Sequence, residues 1–284
     1  MWISNDAVSK ESVSKNAVPV PGVATRVAPR VEWLLAPNAG AWTFEGTNTW
    51  IVGEPDADAC AVIDPGPKDA DHIESLLRVI GRRSVSYVVL THGHNDHEGA
   101  ASGIVDATGA RIVKARKEMS HSNFPDELDD GIEVRLLPTP GHTRDSLCVY
   151  LPADRIVFTG DTLLGSGSPV VHPELLREML DSLRTLRALG ASTAVTALPG
   201  HGPVVADLAA SADRRLNARN RRIRQVRDLL SEREMSIDEL VTRMYPEVEH
   251  PDVLSAARSS ILAMVTYLNE ESALGRTVLQ DDAR

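Results

Sequence analysis

The chain has 284 residues, 42% of them hydrophobic and 25% charged, with a formal net charge of −10, which fits a globular protein of one large domain or two rather than a disordered chain. No apolar run approaches the roughly 20 residues needed to cross a bilayer, and the start, Met1–Asp6, lacks the basic and apolar parts of a secretion signal. Cys60 and Cys148 are too few for a disulfide framework and both lie in apolar runs, so the expectation is buried free thiols, a reducing cytoplasm and no membrane partner. Residues 1–205 carry 18 basic and 26 acidic side chains, and residues 206–284 carry 12 arginines against 14 acidic side chains. Residues 1–205 show in bulk no basic footprint of a nucleic-acid binder, although a local patch stays open.

Residues 1–27 are polar with scattered Pro and Gly and read as a partly disordered leader or an edge segment. Val31–Leu35 and Thr47–Val52 are expected as paired strands, and Ala59–Ile63 as a strand ending in Asp64-Pro65-Gly66. His72–Ile80 has Ile73, Leu76, Leu77 and Ile80 at helical spacing. Then one pattern recurs four times: an apolar run stops at a tight turn and presents a side chain able to bind metal. Val85–Leu90 leads to His92, Ile132–Leu137 to His142, Arg155–Phe158 to Asp161, and Thr193–Leu198 to His201. Functional side chains at strand ends, with a rigid sheet behind them, are the usual layout of an α/β site. A helix is expected near Pro173–Leu189. After Pro203 the composition shifts to a long helix, Ala206–Leu230, rich in arginine. Ser236 with Glu239 forms a capping-box start for a helix running to Tyr245, Asp252–Leu268 is a further helix, and Arg276–Leu279 reads as a short strand. Helix, helix and turn element is a winged-helix order, which divides the chain into a leader at 1–27, a main domain at 28–205 and a helical winged-helix-like domain at 206–284.

The densest chemistry is Thr91-His92-Gly93-His94-Asn95-Asp96-His97. Imidazole is the commonest protein metal ligand and carboxylate its usual partner. Adjacent side chains such as Asp96 and His97 are expected to point different ways, so the cluster exceeds one ordinary site. Two metals, with His92 and His94 on one and Asp96 and His97 on the other, is the simplest arrangement. A surface histidine tract is the bland alternative, but the flanking apolar run and glycines do not suit one.

At these residues the chain resembles the metallo-β-lactamase superfamily. His92-x-His94-x-Asp96-His97 matches its H-x-H-x-D-H signature, and Asp64 in I-D-P-G, His142 in P-G-H, Asp161 in T-G-D and His201 in P-G-H-G match its remaining motifs in order. The resemblance implies an α/β (α+β) fold, an αββα sandwich of two mixed sheets with helices outside. Having both His97 and Asp161 is similar to the glyoxalase II and ribonuclease Z type of two-metal hydrolase rather than to true β-lactamases. Gly46–Trp50, Pro140–Leu147, Phe158–Gly165 and the C-terminal helices further resemble the β-lactamase-like protein 2 group, which includes a single-strand-specific endoribonuclease and thioester-cleaving cousins. Where that group's long helix often has a His-Arg pair, this chain has Ala218-Arg219.

The resemblance implies that His92, His94 and His142 bind one metal, that Asp96, His97 and His201 bind the other, and that Asp161 bridges them. Two divalent ions, with zinc favoured over manganese or iron, would share a hydroxide nucleophile. Asp96 and Asp64 are the carboxylates assigned to catalysis, Asp96 aiming the nucleophile and Asp64 holding a ligand histidine by its other nitrogen. His172, Arg219 and Arg222 are candidate substrate contacts, while His72, His121 and His250 lack motif context. The expected activity is hydrolysis of single-stranded RNA or of an acyl thioester or ester, with a homodimer as a further candidate association. The alternative is a regulatory, nucleic-acid-binding winged-helix protein carrying a non-catalytic metal domain.

Overall fold

Strand runs that are apolar at every position, such as Ala59–Ile63, can only be strands with both faces covered. In the computed structural model, which describes residues 19–115, 127–128, 131–248 and 250–273, this is what two packed sheets provide. The first sheet runs β1 (Thr25–Ala28), β2 (Val31–Leu35), β3 (Asn48–Val52), β4 (Ala59–Ile63), β5 (Ser84–Leu90) and β6 (Arg111–Lys114) in that spatial order. Its first four strands are antiparallel, and β4, β5 and β6 are parallel. The parallel steps need crossovers, made by α1 (Ala70–Ile80) between β4 and β5, and by α2 (Asn95–Glu98) with α3 (Ala101–Thr108) between β5 and β6. A two-stranded ribbon pairs β7 (Glu127–Leu128) with β8 (Ile132–Glu133). The second sheet has the order β12-β11-β10-β9, from β9 (Arg135–Pro138), β10 (Leu147–Leu151), β11 (Ile156–Gly160) and β12 (Thr196–Pro199).

Alternation along each strand sorts its side chains. Trp33, Trp50, Val52, Ala61 and Ile63 of the first sheet meet Leu147, Val149, Leu151, Phe158 and Leu198 of the second in one buried core. The neighbours on the opposite face, Leu34, Ile51, Cys60 and Val62, pack under Leu76, Ile80 and Ile104 of α1 and α3. On the far side, Cys148, Val157 and Ala197 pack under Leu186 of α4 (Leu176–Leu189) and Leu208 and Ala212 of α5 (Leu208–Glu232). The expected αββα sandwich is therefore present. A fourth cluster joins Met179, Leu180 and Leu183 of α4 to Leu216, Ile223 and Val226 of α5, and to α6 (Ile237–Met244) and α7 (Pro251–Ala273) through Leu240, Ile261, Met264 and Leu268. The C-terminal helices thus share a core with α4.

Several elements differ from expectation. Ile132–Leu137 is not one strand: Ile132–Glu133 pairs with β7, and Arg135–Pro138 pairs with β10 in the second sheet. The strand β10, α3 and β6 had no separate expectation, because α3 carries Ser102 and Gly103 in a weak helical pattern and β6 has only four residues. Thr25–Ala28, at the end of the segment read as leader or edge, is the edge strand of the first sheet. The proposed strand at Arg276–Leu279, His121 and most of the polar leader lie outside the described residues.

Candidate metal centre

All the histidine-bearing turns open at one end of the sandwich. Thr91–His94 follows β5, and the single helical turn of α2 carries Asp96 and His97. That turn brings His97 Nε2 within 3.6 Å of Asp96 Oδ2, so the adjacent side chains converge instead of diverging. Asp161 follows β11, His142 lies between β9 and β10, and His201 follows β12. Three groups result in which the ligand atoms lie close enough to hold an ion: His92–His94–His142, Asp96–His97–His201, and His92–His97–Asp161. Asp161 lies between the first two, with Oδ2 at 3.6 Å from His142 Nε2 and 3.5 Å from His201 Nε2.

The outward nitrogens are held in a consistent way. His142 Nδ1 is 2.7 Å from the Val170 carbonyl and His201 Nδ1 is 3.2 Å from the Gly46 carbonyl. His97 Nδ1 meets Asp64 Oδ2 at 2.8 Å. His92 Nδ1 meets Thr91 Oγ1 at 3.1 Å, and that hydroxyl donates to Asp64 Oδ2 at 2.7 Å. A carbonyl or carboxylate can only accept, so each of these Nδ1 atoms carries a hydrogen and the Nε2 of each ring is turned inward. The inward nitrogens lie close together: His92 Nε2 is 2.9 Å and His142 Nε2 3.0 Å from His94 Nδ1, and His97 Nε2 is 3.2 Å from His201 Nε2. Asp161 Oδ1 is buried with no hydrogen-bond partner among the described residues. At Gly200 a Cβ would lie 2.5 Å from that oxygen and 2.6 Å from His97 Cε1. Converging ring nitrogens, an orphaned carboxylate oxygen and a turn kept free of side chain fit divalent cations better than they fit a protein-only network.

The electrostatics divide the cluster. Burial, with the charge of His97 next, pushes His92 well below the ordinary histidine range, and burial with His142 lowers His94. Burial also opposes charge on His201, but Asp161 and Asp96 raise it to about 10. Burial penalises Asp161 too, and His97 and His201 outweigh that and hold it well below the usual carboxylate range.

Asp64 is 1% exposed and accepts from Thr91 N–H, Thr91 O–H and His97 Nδ1–H. It acts through His97 and has no path to a substrate. Asp96 instead opens onto a cleft of about 910 Å³, with His94, His142, Asp161 and His201 on its floor. His172, Arg219 and Arg222 all line this cleft. The guanidinium of Arg219, however, donates to Ser168 Oγ and the Pro169 carbonyl, and that of Arg222 lies 5.0 Å over the Tyr245 ring.

Two supporting groups had no place in the residue-by-residue reading. Asn48 donates to the Pro199 and Gly202 carbonyls at 2.9 Å each, takes Trp33 Nε1–H on its side-chain oxygen, and so fixes the turn that carries His201. Trp42 and Phe44 form one cleft wall. The sequence signal for Asn48 was the polar triplet Thr47-Asn48-Thr49 opening an otherwise apolar strand and wholly buried in the fold. His72 is also buried, with Nε2 3.0 Å from the Pro65 carbonyl and 3.1 Å from Thr49 Oγ1, beneath the Asp64 turn.

A family model described as the metallo-β-lactamase superfamily matches residues 42–130 and 121–201. The chain belongs to the metallo-β-lactamase superfamily. It is 34% identical over 241 residues to an atrochrysone carboxyl ACP thioesterase of Aspergillus terreus, covering 78% of this chain and 73% of that one. It is 30% identical over 228 residues to a β-lactamase-like protein 2 homolog of Caenorhabditis elegans, covering 74% of each. A β-lactamase domain protein from Burkholderia ambifaria superposes with a TM-score of 0.76 over 90% of both chains at 20% identity, a likeness of fold alone. The resemblance read from the motifs is borne out, and the chain is a metal-dependent hydrolase of this superfamily. No helix among the described residues is long and apolar enough to cross a membrane.

Proposed function

We propose that this metallo-β-lactamase superfamily member is a dinuclear zinc hydrolase whose substrate is an acyl thioester. The observation that carries the substrate class is the character of the cleft. Trp42, Phe44, Leu164, Val170, Tyr245 and Val253 wall it, and both cleft arginines already have partners within the protein. Trp42 is 49% and Val253 43% exposed, apolar surface that gains a partner when an acyl chain enters. A nuclease groove instead needs free cations along a phosphate track. The relative named as an acyl-carrier thioesterase supports the same reading.

In this reading His92, His94 and His142 would hold one ion and Asp96, His97 and His201 the second, with Asp161 placed between the two sets. When bound, such an ion pair supplies a water nucleophile at neutral pH and polarises the carbonyl that is cleaved. Burial works against charge on Asp96, yet the His201 hydrogen bond and the nearby imidazoles keep its pKa below the usual range. It is therefore ionised at neutral pH, and it accepts a hydrogen bond from the attacking water and aims it at the acyl carbon. Asp64 keeps the His97 ring in place. At the rim, His172 Nδ1 accepts the Glu174 N–H, which leaves Nε2–H as a donor for a substrate oxygen. The C-terminal helices act in this reading as cleft wall, supplying Ala218, Tyr245, Val253 and Ser255.

The test is hydrolysis of a series of acyl-N-acetylcysteamine thioesters and, separately, of single-stranded RNA by zinc-loaded protein, with His94→Ala as the control. Thioester cleavage that is lost in His94→Ala, without RNA cleavage above that control, is expected. RNA cleavage with inert thioesters would replace the substrate assignment, and no activity with tight DNA binding would favour the regulatory alternative.

A further inference from the structure

Arg219 is bonded to the segment that follows Asp161. Its guanidinium bonds Ser168 Oγ (3.0 Å) and the Pro169 carbonyl, and one turn earlier Arg215 bonds the Leu164 and Gly167 carbonyls. These partners all lie on the segment 164–172, which starts three residues after Asp161. The same segment delivers the Val170 carbonyl to His142 Nδ1 at 2.7 Å, and it is tied to α7 where Ser259 Oγ donates to the Val171 carbonyl at 3.4 Å. It closes on the His142 turn through the His172 N–H to the Gly141 carbonyl, 3.1 Å.

Left to itself, Leu164-Gly165-Ser166-Gly167-Ser168 would be among the least ordered stretches of the chain, because its glycines and serines impose little backbone preference. Yet the acceptor that fixes the His142 ring is two residues beyond it. A planar guanidinium with five donors suits the task of gripping adjacent backbone and hydroxyl oxygens. Arg219 is half-buried, and partial burial beside neutral partners lowers it to about 10. A cation drawn partly out of water onto neutral acceptors costs free energy, and what that cost secures here is the place of this loop.

We infer that Arg219 is a positioning residue for the metal centre, acting through Pro169 and Val170 to hold the orientation and tautomer of His142, rather than a substrate contact. The inference rests on the proposed reading that His92, His94 and His142 hold an ion. It gives the C-terminal helices a second task, since α5 and α7 then anchor a ligand of the centre as well as walling the cleft.

The test challenges zinc-loaded, full-length protein with a graded chelator and follows zinc release. Arg219→Met keeps the apolar stem and removes the donors. It should release one of two zinc ions about 10- to 100-fold more readily, the range found when a partner of a metal-bound histidine is lost, and leave the other unchanged. Arg219→Lys, which keeps one donor contact, should restore part of the loss. In thioester hydrolysis Arg219→Met should lower kcat and change KM little. The His142 Nδ1–H proton resonance, assigned with His142→Gln, should broaden or shift in Arg219→Met. If Arg219→Met does not fold, Ser168→Ala removes one of the two anchors and should change release and resonance in the same direction, to a smaller degree. Wild-type zinc retention and an unchanged resonance, with a raised KM, would overturn the inference and return Arg219 to the substrate. Wild-type protein that binds no zinc would instead overturn the reading of the site on which the inference rests.

Discussion

At the scale of single residues, the centre depends on groups that never meet a substrate. Asp64 adopts φ +49°, a left-handed conformation uncommon outside glycine, and from there its two oxygens collect three hydrogen bonds. Asp64→Asn keeps the shape but puts an amide donor either against both Thr91 O–H and His97 N–H, which share Oδ2, or against Thr91 N–H. We expect zinc retention to fall about 10- to 100-fold with the far-ultraviolet circular dichroism unchanged, and retention equal to wild type would refute this role. Cys148 makes a different point. Burial raises its thiol to about 12, against partly opposing hydrogen bonds from Thr139 and Thr162. An unfolded cysteine ionises near about 8.5, so the unfolded chain sheds this proton first as pH rises. The stabilising contribution is complete below that value and declines up to about 12. Urea midpoints measured from pH 8 to 10.5 should therefore fall less steeply in Cys148→Ala than in wild type, and parallel slopes would count against it. Much at this scale could be read in advance, because the seven groups that converge here sit in four short motifs. Val170 could not be, because it contributes only a backbone carbonyl, and the polar triplet around Asn48 does not reveal that its link spans 151 positions of sequence.

At the scale of elements, local chemistry and burial agree best where a run is long or its ends are marked. Val31–Leu35 and Ala59–Ile63 form strands with the expected bounds, because each is a five-residue, mostly apolar run bounded by turn residues, too short for a helix. Ser236 accepts from Glu239 N–H, and Glu239 returns a bond to Ser236 N–H, so the capping box read from Ser-x-x-Glu starts α6 as expected. Arg233 and the Ser236 N–H hold the Glu239 carboxyl down to about 2, so the cap remains ionised throughout mildly acidic conditions. Ser236→Ala should cost about 1 kcal/mol in urea denaturation followed at 222 nm, and a change below about 0.3 kcal/mol would mean that packing of Leu240 and Val241 alone sets the helix. The elements that escaped the sequence reading are short or weakly patterned. The division of 132–138 between two sheets is a matter of partner choice, since Ile132 and Leu136 look alike until β7 and β10 are there to pair with them.

At the scale of the whole molecule, the cleft exists only because distant parts of the chain enclose the centre. Trp42 comes from the loop before β3, His172 from the segment before α4, and Tyr245 and Val253 from the C-terminal helices. The apolar face of α4, with Met179, Leu180 and Leu183, is covered by α5, α6 and α7. A chain ended at residue 205 would expose that face and release the segment that orients His142. We expect it to be recovered largely insoluble, or to lack the near-ultraviolet signal of the packed Trp33–Trp50 pair. A soluble fragment that unfolds cooperatively and retains zinc as the full chain does would show that 28–205 is independent.

What the sequence alone determined is a set of ligand-capable side chains and a family: seven side chains in four motifs at the ends of apolar runs, in the order of the metallo-β-lactamase superfamily. Such motifs are local, because a ligand and the turn that presents it are neighbours in the chain. The tertiary structure decided what surrounds them. Whether Arg219 faces a substrate or the back of a ligand loop depends on which backbone carbonyls α5 meets, and carbonyls are the same in every residue. The apolar walls are likewise assembled from segments whose side chains, taken singly, resemble ordinary core or surface.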